Sequence, residues 1–163
     1  TGDGSYLDKF TFDNDGLKFN GDTGAGNALA DYEEGTWTPI FSGWSNISYS
    51  GSRNAEYLKI GDLVYIRGFI GGSSTGSNSG NLIIGGLPFT PNSGGYGRHA
   101  CSVQAGGLSL SSGEFGAFAL IEESVAKIDV YAGSTAGVNV NISPAKWNNS
   151  GMYIAGTYHV LGY

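Results

Sequence analysis

The residues with the best spacing for catalysis are two pairs of adjacent glutamates, Glu33 with Glu34 and Glu122 with Glu123. Glycosidases need two carboxyl groups about 5 to 9.5 Å apart across a sugar. Neighbouring side chains of an extended strand point to opposite faces, so neither pair is a ready acid and base. We therefore expect that the chain is not an enzyme. Carboxylates that converge from distant positions stay open as the alternative.

His99 and Cys101 stand two residues apart and would share one face of a strand, which permits a cysteine–histidine contact. A nucleophilic pair of this kind also needs a third group to orient the histidine, and none is evident. Cys101 is the single cysteine of the chain, and a small buried cysteine is the commoner explanation. We expect no cofactor.

Asp13 and Asp15 belong to a short Asp-Asn-Asp-Gly cluster. Clustered oxygens suit hard cations such as Ca²⁺, so both aspartates are candidate metal ligands. The bidentate glutamate that completes a calcium loop is absent at the expected place. The same residue types also form plain turns, and we prefer that interpretation, with no metal bound.

Aromatic and amide side chains in the predicted loops favour sugar binding. Sugar rings stack their apolar faces on aromatic rings, and their hydroxyls pair with amides and charged groups. The glycan-binding candidates fall in three loops: Trp44, Asn46 and Tyr49; Tyr96 and Arg98; Trp147, Asn148 and Asn149. The alternative for each ring is that it closes one end of the core, and both interpretations stay open.

Composition limits the fold and the partners. The 163 residues include 29 glycines and only 13% charged side chains, and no stretch has sustained helical periodicity. A net charge of −6 argues against nucleic-acid binding, which needs a basic surface. No apolar run approaches a membrane span, and no signal peptide is evident. The chain begins at Thr1 rather than Met, which indicates a fragment or a processed product.

Short β-type runs between turn signals predict an all-β fold, an antiparallel β-sandwich or jelly roll of nine or ten strands. We divide the chain into a neck over 1–35, with a β-hairpin and an acidic connector, and a head over 36–163. The predicted strands of the head are 36–41, 57–60, 63–70, 81–86, 100–105, 116–122, 125–132, 138–142 and 152–161, with 44–50 as a short strand or an ordered loop.

The clearest hairpin joins 57–60 to 63–70 through a two-residue loop, Gly61 and Asp62. The second of these strands is apolar on both faces, so something must cover each face. We expect the core on one side and a subunit interface on the other. Packing roles are assigned to Trp37, Tyr57, Tyr65 and Phe69. The segment 71–80 is predicted to be a flexible polar loop.

Four motifs give the sequence a specific resemblance. They are LADYEEGTWTP at 29–39, YLKIGDLV at 57–64, GGLPF at 85–89 and IAGTY at 154–158. Together they resemble the C-terminal head of tail fibres and tailspikes of bacteriophages, especially cyanophages and other marine phages. The connector of that family more usually reads LDDYEEGTWTP, so Ala30 departs from it by one acid. The resemblance implies an extracellular virion protein, an intertwined all-β homotrimer at the distal end of an attachment fibre.

Two functions follow from the residues and the resemblance together. In the first, the head binds a host surface polysaccharide or lipopolysaccharide through loop aromatics and also trimerises the fibre. In the second, it is a purely structural trimerisation and folding clamp, and receptor binding or depolymerase activity lies elsewhere in the full-length protein. Exposed loop aromatics would favour the first function, and buried ones would favour the second.

Overall fold

The computed structural model describes residues 10–19, 24, 29, 31–76, 80–93, 98–147 and 150–160. These residues contain thirteen β-strands and no helix, so the all-β prediction is confirmed. The strands are β1 (Phe10–Asp13), β2 (Gly16–Phe19), β3 (Tyr32–Trp37), β4 (Ile40–Phe41), β5 (Ile47–Tyr49), β6 (Ala55–Ile60), β7 (Leu63–Ser74), β8 (Leu82–Gly85), β9 (His99–Ala105), β10 (Glu114–Ile121), β11 (Lys127–Ser134), β12 (Val140–Asn141) and β13 (Ser150–His159). The described residues form no helix that could cross a membrane.

Eleven of the strands form one antiparallel sheet, and β1 and β2 form a separate hairpin. The order across the large sheet is β3-β6-β7-β13-β9-β10-β11-β8-β4, with β5 beside β7 and β12 beside β11. β3 and β4 thus lie at opposite ends of this order, although only Thr38 and Pro39 separate them in the chain. Three peptide links reach no more than about 11 Å. The sheet therefore curls until its two ends approach each other at this corner.

The predicted sandwich or jelly roll is replaced by this single curled sheet, a half-barrel. A sandwich has two sheets with no hydrogen bonds between their strands, whereas here strand pairing is continuous from β3 to β4. The inner face of the curl encloses the hydrophobic core, as the space between two sheets would. The largest side chains without any exposure are Trp147, Tyr158, Ile66, Ile70, Leu82, Ile84, Ile121, Ile128, Ile142 and Met152.

The predicted hairpin around Gly61 and Asp62 is confirmed as β6 and β7, with Ile60 paired to Leu63. Side chains of β7 alternate between the two faces of the sheet. Leu63, Tyr65, Arg67 and Phe69 take the outer positions, and the side chains between them face the core. The second apolar face predicted for this strand is therefore present, and Leu63 and Tyr65 on it are exposed in the single chain.

The predicted flexible loop begins inside a strand, because β7 continues to Ser74. Gly71 and Gly72 are buried there; Gly72 pairs with Tyr49 of β5, and the carbonyl oxygen of Gly71 accepts a hydrogen bond from the backbone N–H of Ser50. An added Cβ would lie 2.6 Å from the carbonyl oxygen of Ser50 at the first glycine and 2.9 Å from that of Ser48 at the second. The prediction of a loop is wrong for this part, since these glycines allow two backbones to approach closely.

The predicted N-terminal hairpin is confirmed as β1 and β2. The ammonium group of Lys18 lies 2.8 Å from Asp13 and 2.7 Å from Asp15. Its hydrogen bond lowers the pKa of Asp13. The chain thus places its own cation between the two candidate metal ligands, which favours the turn interpretation. The aromatic side chains of this hairpin are exposed: Phe10, Phe12 and Phe19.

The acidic connector is a strand of the large sheet. β3 pairs with β6 along its whole length and crosses the predicted boundary between the neck and the head. The predicted strand 36–41 is divided between β3 and β4, with Pro39 in the gap. Trp37 is buried, and its indole N–H donates to the carbonyl oxygen of Glu56 at 3.3 Å. The predicted core role of Trp37 is confirmed.

Candidate functional site

A groove of about 650 Å³ opens on the outer face of the sheet, where β3 and β6 meet β7 and β13. Side-chain alternation along the strands places its residues on the outer face, and the pairing register brings them together. Glu56 pairs with Arg67, and Phe69 pairs with Tyr153, across neighbouring strands. The segment just before β6 supplies two further polar side chains. The polar and aromatic residues of the groove are Arg53, Asn54, Glu56, Arg67, Phe69 and Tyr153.

The aromatic part of the groove is the pair Phe69 and Tyr153. Their ring centroids are 5.0 Å apart with an angle of 54° between the planes. The Phe69 ring lies over Gly151, where a Cβ would be only 2.4 Å from a ring atom. Phe69 is thereby half-buried, and Tyr153 stays 61% exposed. The pair offers an exposed tyrosine ring held by a second ring.

The charged part of the groove begins with an ion pair. Arg67 donates from Nε at 2.9 Å and from Nη2 at 2.6 Å to one oxygen of Glu56. The hydrogen bond that Arg67 donates to this carboxylate raises the pKa of Arg67. Both side chains are exposed, so the pair contributes little to stability. Its effect on the groove is to neutralise one guanidinium.

Arg53 differs from Arg67 in its surroundings. Its guanidinium carbon lies 4.0 Å from the centroid of the Tyr49 ring, a cation–π contact. No carboxylate of the described residues forms an ion pair with Arg53. The Tyr49 ring in turn stacks on the Phe41 ring, with the centroids 5.8 Å apart. The Tyr49 hydroxyl accepts a hydrogen bond from the backbone N–H of Phe41 at 3.1 Å. Tyr49, one of the predicted glycan contacts, thus holds the arginine.

Trp44 and Trp147, the two tryptophans predicted to bind glycan, lie in the core. Trp44 is 7% exposed and Trp147 is not exposed at all. Their rings pack against each other at 5.8 Å and against Phe41 at 6.0 and 5.2 Å. The indole N–H of Trp44 donates to the carbonyl oxygen of Gly80. This burial favours the packing alternative for both rings.

Of the other predicted contacts, Asn46 and Arg98 do not line the groove. Asn46 is exposed in a left-handed turn with φ of 52°, a conformation that asparagine tolerates. Arg98 pairs with Glu122 at 2.7 Å. Tyr96, Asn148 and Asn149 lie outside the described residues.

The adjacent glutamates are used in separate contacts. Glu33 accepts a hydrogen bond from the Tyr57 hydroxyl, and Glu34 accepts one from the Tyr32 hydroxyl at 3.0 Å. Burial raises the pKa of Glu122, a hydrogen bond with Asp129 raises it further, and Arg98 opposes both effects. Ser124 follows the second pair, in the turn between β10 and β11, and has a φ of 58°.

Cys101 and His99 also take separate partners. The buried thiol donates to the carbonyl oxygen of Ala155 at 3.4 Å. The His99 ring packs near Tyr158 at 6.5 Å and near His159 at 6.1 Å. Burial raises the pKa of the Cys101 thiol to about 12. The geometry agrees with a small core cysteine.

We predict that Cys101 does not react with a thiol reagent in the folded protein. The thiolate is the reactive form, and both burial and the raised pKa suppress it. Labelling with Ellman's reagent at pH 8 should be at least about 100-fold slower than in urea, because it requires opening of the sheet. Ser102→Cys, an exposed neighbour on the outer face, is the control and should label rapidly. Equal rates at both positions would contradict the core role.

Sequence reasoning missed Asn54 and Tyr153 and gave Phe69 only a packing role. The alternation of Met152, Tyr153 and Ile154 was a usable signal, since it places the tyrosine opposite two core residues. The sequence does not show the pairing register of β13 and β7, which places the Tyr153 ring beside Phe69.

Comparison with solved structures gives a match over most of the chain. The crystal structure of the Dettilon tailspike protein superposes on 78% of this chain with a TM-score of 0.59 and 24% sequence identity. The chain has a tailspike-like fold. The match spans 24% of the length of the tailspike chain. No family model and no curated protein matches the sequence.

Proposed function

We propose that this chain is the distal head of a phage tail fibre or tailspike and that it attaches the virion to a host surface saccharide. The observation that carries the proposal is the outer groove with its exposed Tyr153 beside Phe69. The tailspike-like fold and the motif resemblance supply the virion context. The role is binding rather than catalysis, and neither nucleic acid nor membrane insertion is part of it.

The chemistry of the groove suits a sugar. An exposed tyrosine offers its face to the apolar side of a pyranose ring, and a fixed neighbour lowers the entropy cost of stacking. Asn54 and Glu56 supply an amide and a carboxylate for the ring hydroxyls. A volume of about 650 Å³ lies within the usual range of ligand sites.

The apolar end of the outer face supports the second element of the proposal, trimerisation. The apolar end consists of four side chains that are 39 to 60% exposed: Tyr32, Ile60, Leu63 and Tyr65. They cluster because Ile60 pairs with both Tyr32 and Leu63. Such a patch calls for a partner surface. It includes Tyr32, the first residue of β3, which lies in the neck segment 1–35, where three chains leaving one shaft would be closest.

The exposed apolar end also supports the alternative, a structural clamp without receptor binding, and so does the burial of the loop tryptophans Trp44 and Trp147. The two roles use different surfaces, since Glu56 and Arg67 on β6 and β7 lie between the apolar end and the aromatic pair. Tests of one surface can therefore leave the other intact.

We predict that Tyr153→Ala lowers saccharide binding by roughly tenfold or more, because a stacking platform is lost. The measurement is retention of the purified chain on an array of bacterial capsular and lipopolysaccharide glycans, followed by titration of the retained members. Phe115→Ala is the matched control, since Phe115 is 58% exposed on β10, away from the groove. Unchanged binding by Tyr153→Ala, or no retained glycan at all, would contradict the binding role and leave the clamp.

A further inference from the structure

We propose that the groove selects a saccharide that carries a carboxylate, and that Arg53 is the residue that recognises it. This inference rests on the proposed saccharide binding and names the class of sugar. It comes from the charges around the groove rather than from its aromatic pair.

The groove holds a positive charge that no other group in it neutralises. Its charged residues are Arg53, Glu56 and Arg67. Glu56 already accepts two hydrogen bonds from Arg67, so those two charges cancel. The guanidinium of Arg53 has no carboxylate partner among the described residues. The groove is thus locally positive in a chain whose net charge is −6.

Arg53 is also held in place. Its guanidinium lies over the Tyr49 ring at 4.0 Å, and that ring is fixed by its stacking on Phe41. A cation–π contact leaves the edge of the guanidinium free to donate hydrogen bonds. Two parallel N–H groups on such an edge match the two oxygens of a carboxylate. A fixed arginine loses little entropy when it binds that group.

The negative net charge of the chain limits how many carboxylates the bound saccharide can carry. A polymer with a charge on every sugar would bring several further negative charges against a chain whose net charge is −6. At physiological ionic strength, charges closer than about 8 Å still interact strongly. One carboxylated sugar among neutral neighbours places its charge at Arg53 and stacks a neutral face on Tyr153. We therefore infer a repeating unit with one uronic acid or another carboxylated sugar.

The test uses matched probes on the full chain. 3′-Sialyllactose is compared with lactose, and bacterial polysaccharide fragments with one uronic acid per repeat are compared with the same fragments after carboxyl reduction. We expect at least about tenfold tighter binding of the acid in each retained pair, because a charged hydrogen bond is lost on reduction. Arg53→Gln should remove this preference, and Arg53→Lys should restore it only in part.

The controls separate this inference from the proposed function. Lys127→Gln removes one positive charge on β11, outside the groove, and should keep the preference. Tyr153→Ala should weaken the acid and its reduced form equally. Equal binding of acid and reduced probes, or a preference that survives Arg53→Gln, would overturn the inference and leave saccharide binding intact. Failure to bind any member of either set would overturn both.

Discussion

Replacement of Trp147 by alanine should lower the free energy of unfolding by about 3 to 5 kcal/mol, the usual loss when a large buried aromatic is deleted. Trp147 has no exposure and packs against Phe41 and Trp44. Alanine would leave a cavity beside Phe41 and Trp44. Domains are stable by only about 5 to 15 kcal/mol, so the loss is a large share. Urea unfolding followed by circular dichroism, at fixed protein concentration, measures it.

Phenylalanine at the two tryptophan positions is the informative control. The Trp147 indole N–H is buried without a hydrogen-bond partner among the described residues, whereas that of Trp44 donates to Gly80. Trp147→Phe removes an unsatisfied donor, so it should cost less than Trp44→Phe by about 1 kcal/mol. An alanine variant as stable as the parent, or the opposite order of the two phenylalanine variants, would refute this account of the core.

Leu63→Lys should convert the proposed trimer into monomers without unfolding the chain. The Leu63 side chain is 41% exposed at the apolar end, so a single chain can keep a lysine there in water. In a trimer the same position would bury three unpaired charges, each costing several kcal/mol. Size-exclusion chromatography with light scattering should give a mass near three times 16.9 kDa for the parent, stable on dilution, and 16.9 kDa for the variant.

Val138→Lys is the matched control for this experiment. Val138 is an apolar residue with 59% exposure in the segment before β12, away from the apolar end. Its substitution should leave the mass unchanged. A parent chain that is monomeric across the dilution series would end the trimer proposal, and a trimeric Leu63→Lys variant would move the interface elsewhere.

Local features of the fold could be read from the sequence because they depend on neighbouring residues. The turn at Gly61 and Asp62 follows from residue type alone, and so does the strand character of the segments around it. The sheet order could not be read in this way. It places β13 between β7 and β9, and contacts at such sequence separation leave no short-range pattern.

The candidate site shows the same division. Loop aromatics such as Trp44 look available in a sequence, yet the curl of the sheet encloses them. The alternation along β13 places Tyr153 on the outer face, but only the pairing register places it beside Phe69. The proposed role of Arg53 depends on its contact with the Tyr49 ring and on the ion pair between Arg67 and Glu56, and neither contact can be read from the sequence. Exposure and pairing are properties of the whole sheet.

The central place of β13 bears on how the chain is made. β13 hydrogen-bonds to β7 on one side and to β9 on the other. Until Ser150–His159 has left the ribosome, the earlier strands can form only two partial sheets, each with an unpaired edge. The half-barrel can therefore close only after β13 has been synthesised. Until then, the nascent chain lacks the strand that protects these two edges against edge-to-edge aggregation.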